Sequence, residues 1–130
     1  MEDRVIESED LVDSTGIGYS QGRVVNGVLY TSGQVGWDAD FEVAGEDVES
    51  QTRRAFENVE ILLSEVDRDL TDVVKVTGYV VDPATRVESF LDVWNEVFDE
   101  EPYPCLTIIG VDQLAQESFL VEVEAEVPLE

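Results

Sequence analysis

Few residues in this 130-residue chain can do chemistry: it has no His, one Cys, and seven Lys plus Arg against 31 Asp plus Glu. Without His there is no Ser-His-Asp triad, no imidazole base and no His-ligated metal. Cys105 has no second Cys for a disulfide or a zinc site and no His to activate it, so a small buried hydrophobe is its simpler reading. Glu122, Glu124 and Glu126 alternate, which sets neighbouring carboxylates about 7 Å apart on one strand face. Such a pair can divide acid and base roles if the environments differ; in a chain this acidic a solvated face is the simpler reading. Ser32-Gly33-Gln34 follows a strand-like run, where Gly lets a backbone N–H approach a ligand closely; the alternative is a plain turn. Residues 14–22 hold three Gly but no G-x-x-x-x-G-K spacing and no Lys, so they make no nucleotide cradle. Trp37 lies in a loop and is free to line a cleft.

The elements that must position these residues are legible from periodicity. Arg4–Ser8 reads as a short strand. Val24–Val25, Asn26-Gly27 and Val28–Ser32 read as a hairpin, since Asn-Gly favours a type I′ turn. Gly33–Gly45 is a loop with extended character at Phe41–Val43. Over Glu46–Val66 the spacing of Val48, Ala55, Phe56, Val59, Leu62, Leu63 and Val66 predicts a helix, with Glu46, Asp47 and Glu49 at its positive end. Val73–Val81 predicts a strand with Lys75, Thr77, Tyr79 and Val81 on one face. Asp82-Pro83 opens a second helix, Asp as cap. Its stripe is Val87, Phe90, Leu91, Trp94, Val97 and Phe98, and Pro102 and Pro104 end it. Strands follow at Leu106–Val111 and Phe119–Val127. The order predicts an α+β fold, one mixed sheet with two helices on one face, as a single domain over 1–130. The other face carries Thr77, Tyr79 and Ile108 or Leu106, and a half-apolar free face calls for self-association.

The net charge of −24 excludes nucleic acid and anionic membrane surfaces as partners. Residues 1–10 are charged and the apolar runs are short, so neither a signal peptide nor a membrane span is expected, and the expected setting is cytoplasmic. Self-repulsion of this size destabilises a compact chain in dilute buffer. High salt screens it, the Debye length falling to about 3 Å near 1 M. A salty cytoplasm, as in a halophilic archaeon, is the expected host.

Gly18-Tyr19-Ser20-Gln21-Gly22, Ser32-Gly33-Gln34-Val35, Gln51-Thr52, Asn58-Val59, Asp72–Thr77, Pro104 and Val121–Ala125 together resemble the RidA (YjgF) family over nearly the whole chain. The resemblance implies a chorismate-mutase-like fold and a homotrimer whose sheets form an inner barrel, with a ligand cleft between each pair of subunits. Family members hydrolyse 2-imino acids to keto acids and ammonia, without a metal or cofactor. Their cleft residues carry over to Tyr19 and Glu122 as catalytic groups and to Ser32 and Gly33 as ligand contacts, Glu122 with one extra residue in the preceding turn. The backbone near Cys105 would help hold water. The family's Pro-Ala-Arg-Thr stands here as Pro104-Cys105-Leu106-Thr107, so Leu106 occupies the position of the Arg that grips the substrate carboxylate. The expectation is a trimer that binds a small metabolite lacking an essential carboxylate, with deaminase activity lost or weak. The alternative is a working enamine/imine deaminase that uses another cation, such as Arg23. A non-enzymatic partner-binding trimer is a third reading.

Overall fold

The computed structural model describes residues 2–130. Seven strands form one mixed sheet: β1 (Arg4–Ile6), β2 (Gly22–Val25), β3 (Val28–Thr31), β4 (Gln34–Val35), β5 (Lys75–Val81), β6 (Cys105–Val111) and β7 (Val121–Pro128). They lie in the order β1-β2-β3-β7-β5-β6, with β4 also on β7. The β5/β6 pair is parallel and the others are antiparallel. The helices are α1 (Val48–Ser64) and α2 (Pro83–Val97).

The hairpin forms where Asn-Gly allows it. Asn26 and Gly27 have φ of 52° and 76°, the two positive values a type I′ turn needs. Asp47 caps α1, its carboxylate accepting from the Ser50 N–H at 2.8 Å, and that bond holds its pKa below the ordinary value. The predicted stripe of α1 is buried throughout, and Phe56 lies edge-on to Phe98 with ring centroids 5.3 Å apart. Phe90, Val93 and Trp94 of α2 complete the layer over Val76, Val80, Val121, Val123 and Ala125. Burial of each such side chain contributes roughly 1.5–3 kcal/mol, which fixes the helices to one face.

Three expectations need correction. Asp82 stands at the N-cap of α2 but does not cap it. Its φ of 48° turns the carboxylate away from the helix N–H groups, and it accepts instead from the Thr85 hydroxyl at 3.0 Å and faces Arg86 at 3.7 Å. Leu106 and Ile108 do not lie on the open face. The parallel register pairs Lys75 with Cys105 and Tyr79 with Ile109, so Cys105, Thr107 and Ile109 face outward, while Leu106 and Ile108 pack half-buried against the core. The loop after the hairpin contains the two-residue strand β4, and a 3-10 turn at Leu70–Asp72 precedes β5.

The open face is one continuous sheet surface. A row runs across it through Val5, Arg23, Tyr30, Glu126, Lys75 and Cys105, each paired in register with the next. Val5, Tyr30 and Ile109 are its exposed apolar members. No described helix is long and apolar enough to cross a membrane.

Candidate functional site

The candidate site forms where β3 ends and β4 begins. At that break β7 would lose a hydrogen bond, and the Thr31 hydroxyl supplies it by accepting from the Ala125 N–H at 3.0 Å. Ser32 is tied down on both sides: its N–H donates to the Gln21 carbonyl at 2.9 Å and its hydroxyl donates to the Ser20 carbonyl. Gly33 follows, packed onto the Glu122 side chain. A Cβ built at Gly33 would stand 2.7 Å from the Glu122 carboxyl carbon, so only Gly leaves room for that carboxylate. This is the reason for Gly in the Ser-Gly-Gln motif, and it concerns the neighbour's side chain rather than backbone freedom.

Gly33 and Glu122 border a cavity of about 360 Å³. Its walls are Leu11, Val12, Ile17, Val35, Trp37 and Phe119, with Tyr19 and the amides of Gln21, Gln34, Asn58 and Gln116 also bordering it. Tyr19 is carried by a tight coil in which the N–H groups of Ile17, Gly18 and Tyr19 all donate to the Ser14 carbonyl, at 3.2, 2.8 and 3.3 Å. Gly18 has φ of 102°, which a side chain would strain. Trp37 is held by its carbonyl, which accepts from Asn58 Nδ2 at 2.9 Å and from Arg54 Nε at 3.3 Å. Its ring meets Phe119 and Phe41 edge-on, with centroids 4.9 and 5.3 Å apart.

The three strand carboxylates have three different environments. Glu126 is exposed, Glu124 accepts from the Tyr79 hydroxyl at 2.9 Å, and Glu122 is half-buried. Burial, then the charge of Glu124, pushes the Glu122 pKa above its ordinary 4.5. Burial, then Glu7 and Glu122, likewise pushes the Tyr19 phenol up. A carboxyl raised in this way binds its proton more tightly folded than unfolded. Its contribution to stability therefore falls as pH rises from the ordinary value through the raised one. Glu122→Gln removes the buried charge, so its thermal melt near neutral pH should equal or exceed that of the parent.

Gly33→Ala should act differently. The obstructing atoms are the end of a flexible side chain, so the carboxyl moves and the fold survives at a cost below about 1 kcal/mol. The displaced Glu122 should then titrate closer to the ordinary carboxyl value, as read by NMR of its labelled carboxyl carbon. An unchanged titration would show that Gly33 does not hold it.

The structure brings Glu122, Tyr19, Gly33 and Trp37 together and leaves the hydroxyl of Ser32 committed behind them. Cys105 and Leu106 lie elsewhere. Cys105 is exposed on β6, two strands across and four residues along from Glu122, roughly 16 Å by strand geometry. Leu106 is half-buried on the helix side of that same edge strand. Sequence reasoning missed Val35, Phe119 and Asn58 as wall residues. Only Asn58 carried a signal, an amide within the apolar stripe of α1.

The sequence profile of the Endoribonuclease L-PSP family matches residues 13–128. The chain belongs to this family, the RidA (YjgF) family. Among RidA relatives, the RutC family protein YjgH of Escherichia coli K12 is 36% identical over 101 residues, covering 78% of this chain and 76% of that protein. A 2-iminobutanoate/2-iminopropanoate deaminase of Dermatophagoides farinae is 28% identical over 113 residues, 86% of each chain. The crystal structure of RidA from the Antarctic bacterium Psychrobacter sp. superposes with a TM-score of 0.86 at 27% identity, over 96% of this chain and 98% of that one. These matches establish the RidA fold, one mixed sheet with two helices, as this chain's own.

Proposed function

We propose that this RidA-family chain assembles as a homotrimer that binds a small metabolite in clefts between subunits, and that 2-imino acid deamination is lost or weak in it. One observation carries the proposal: the described residues bordering the cavity bring one carboxylate, Glu122, and no Lys or Arg. A 2-imino acid brings its own carboxylate, which Glu122 repels and nothing in this chain's described share of the wall neutralises. Leu106 adds to this, since the cation of the family pattern is absent from the strand end that a neighbouring subunit would present. The open sheet face, with Val5, Tyr30 and Ile109 exposed, supports association through that surface. Light scattering in high KCl should give the mass of three chains; a monomer would remove the second wall of the cleft.

A working imine deaminase is the second reading. The Glu122–Gly33 contact favours it, because a half-buried carboxylate with a raised pKa suits a general base that activates water. It then needs a cation from elsewhere. Arg23 lies on the open face beside Tyr30, paired across β2 and β3.

The same charge argument extends to the setting, a cytoplasm of high salt. Only seven cations face 31 acids, and the described ion pairs of Arg53, Arg54 and Arg86 are partly exposed, so they offset little repulsion. The melting temperature should rise steeply between about 0.1 M and about 2 M KCl, as screening shortens to a few Å. Equal melting at both concentrations would overturn the halophilic reading.

A further inference from the structure

We infer that the cleft takes a ligand carrying one positively charged nitrogen, an amine or iminium ion, on an apolar body without a carboxylate. The inference rests on the cation-free cleft just proposed and adds the sign of the ligand's charge. The carboxylate of Glu122 borders a cavity of about 360 Å³ whose walls are apolar at Leu11, Val12, Val35, Trp37 and Phe119. The amide donors of Asn58 and Gln34 are already engaged, while Asn58 Oδ1 is buried without a hydrogen-bond partner among the described residues. Asn58 Nδ2 donates to the Val35 and Trp37 carbonyls at 3.0 and 2.9 Å, and Gln34 Nε2 donates to the Ser32 carbonyl at 3.2 Å. Among the described residues that border the cavity Glu122 is thus the one charged partner for a ligand, with Asn58 Oδ1 a second, neutral acceptor.

The surface beside the cavity has the same sign. A neighbouring groove shares Leu11 and Gln21 with it and is bordered by Glu7, Glu9, Asp13 and Asp40, again with no Lys or Arg among the described residues. In dilute salt this surface attracts cations and repels anions; in multimolar KCl a screening length of about 3 Å confines the selection to the cavity itself. There a cation compensates a carboxylate that burial and Glu124 make costly to ionise. The aromatic edges of Trp37 and Phe119 suit a planar or branched apolar body.

The test is calorimetric titration of the assembled protein, in KCl that keeps it folded, with three probes of one shape: 2-phenylethylamine, 2-phenylethanol and 3-phenylpropionate. The amine should bind at least 10-fold tighter than the alcohol, and Glu122→Gln should reduce that advantage below 3-fold. A melt and a light-scattering mass equal to the parent's show that the variant is folded and assembled. Equal binding of amine and alcohol by the parent overturns the inference and leaves the cation-free cleft standing. Tightest binding of the carboxylate overturns both, and binding of none of the three overturns the inference.

Discussion

The Leu106→Arg variant should hydrolyse 2-iminopropionate about 30-fold faster than the parent, a difference of roughly 2 kcal/mol in transition-state binding. A guanidinium offers two parallel N–H donors to a carboxylate, and Leu offers none. Position 106 can accept the change. Leu106 is half-buried on the edge strand β6, so the aliphatic stem of an Arg can keep the apolar contact while its head reaches solvent or a neighbouring subunit. Ammonia release under single-substrate conditions reads the rate, and a melt establishes that the variant is folded. A folded variant no faster than the parent would show that the missing cation is not what separates this cleft from imino acids.

Gly36→Ala should be the most destabilising single-methyl change in the site's surroundings. A Cβ at Gly36 would stand 2.5 Å from the Gln51 carbonyl oxygen and 2.6 Å from its Cα. Both are backbone atoms of α1, so neither can swing aside as the Glu122 carboxyl does at Gly33. The helix must move off β4, at a cost of about 3 kcal/mol or more and a fall of roughly 10 °C in melting temperature. The displacement also disturbs a buried latch. Gln51 Nε2 donates to the Gly45 and Ser118 carbonyls at 3.1 and 2.9 Å, and its Oε1 accepts from the Leu120 N–H at 2.9 Å. One side chain thus ties α1 to the loop before it and to the entry of β7, which delivers Glu122. A melt within 2 °C of the parent would contradict this close packing.

What was legible in the sequence was local. Asn26-Gly27 specifies its turn by its own backbone preferences, and the structure has both positive φ values. The stripe of α1 and the alternation along β7 repeat with the periods of helix and strand, and both faces lie as those periods require. The tertiary features were not legible. The residues Leu106–Val111 are apolar or β-branched almost throughout, so their own pattern cannot say which alternate set faces out; the pairing of Lys75 with Cys105 decides it. The Asp82-Pro83 pair looks like a cap because capping depends on residue type, but the left-handed φ of Asp82 aims the carboxylate elsewhere. Strand β4 is two residues long and exists because Gly33 and Gly36 permit close approach to β7 and α1, contacts far apart in sequence. Gln51 and Asn58 interrupt an apolar stripe, and periodicity gives no account of them. Their partners lie on other elements.

The cavity shows the same division. Glu122 and Gly33 stand out as candidates by residue type and spacing, and Tyr19 through the family resemblance, whereas Phe119, Val35 and Asn58 enter its wall only because β7, β4 and α1 converge there. The acid excess takes on a local meaning in this setting. Most of the 31 acids serve the surface, while Glu122 stands apart by being half-buried at a largely apolar cavity, with no Lys or Arg among the described residues that border it.

The most direct test of that account is ammonia release from 2-iminopropionate, generated enzymatically in multimolar KCl, with the unmodified protein present in catalytic amounts. The proposed cleft, with Glu122 and no Lys or Arg among the described residues that border the cavity, predicts a rate indistinguishable from, or only slightly above, the uncatalysed hydrolysis. Strong acceleration with turnover would contradict it, and would mean that a cation outside this cavity completes the site.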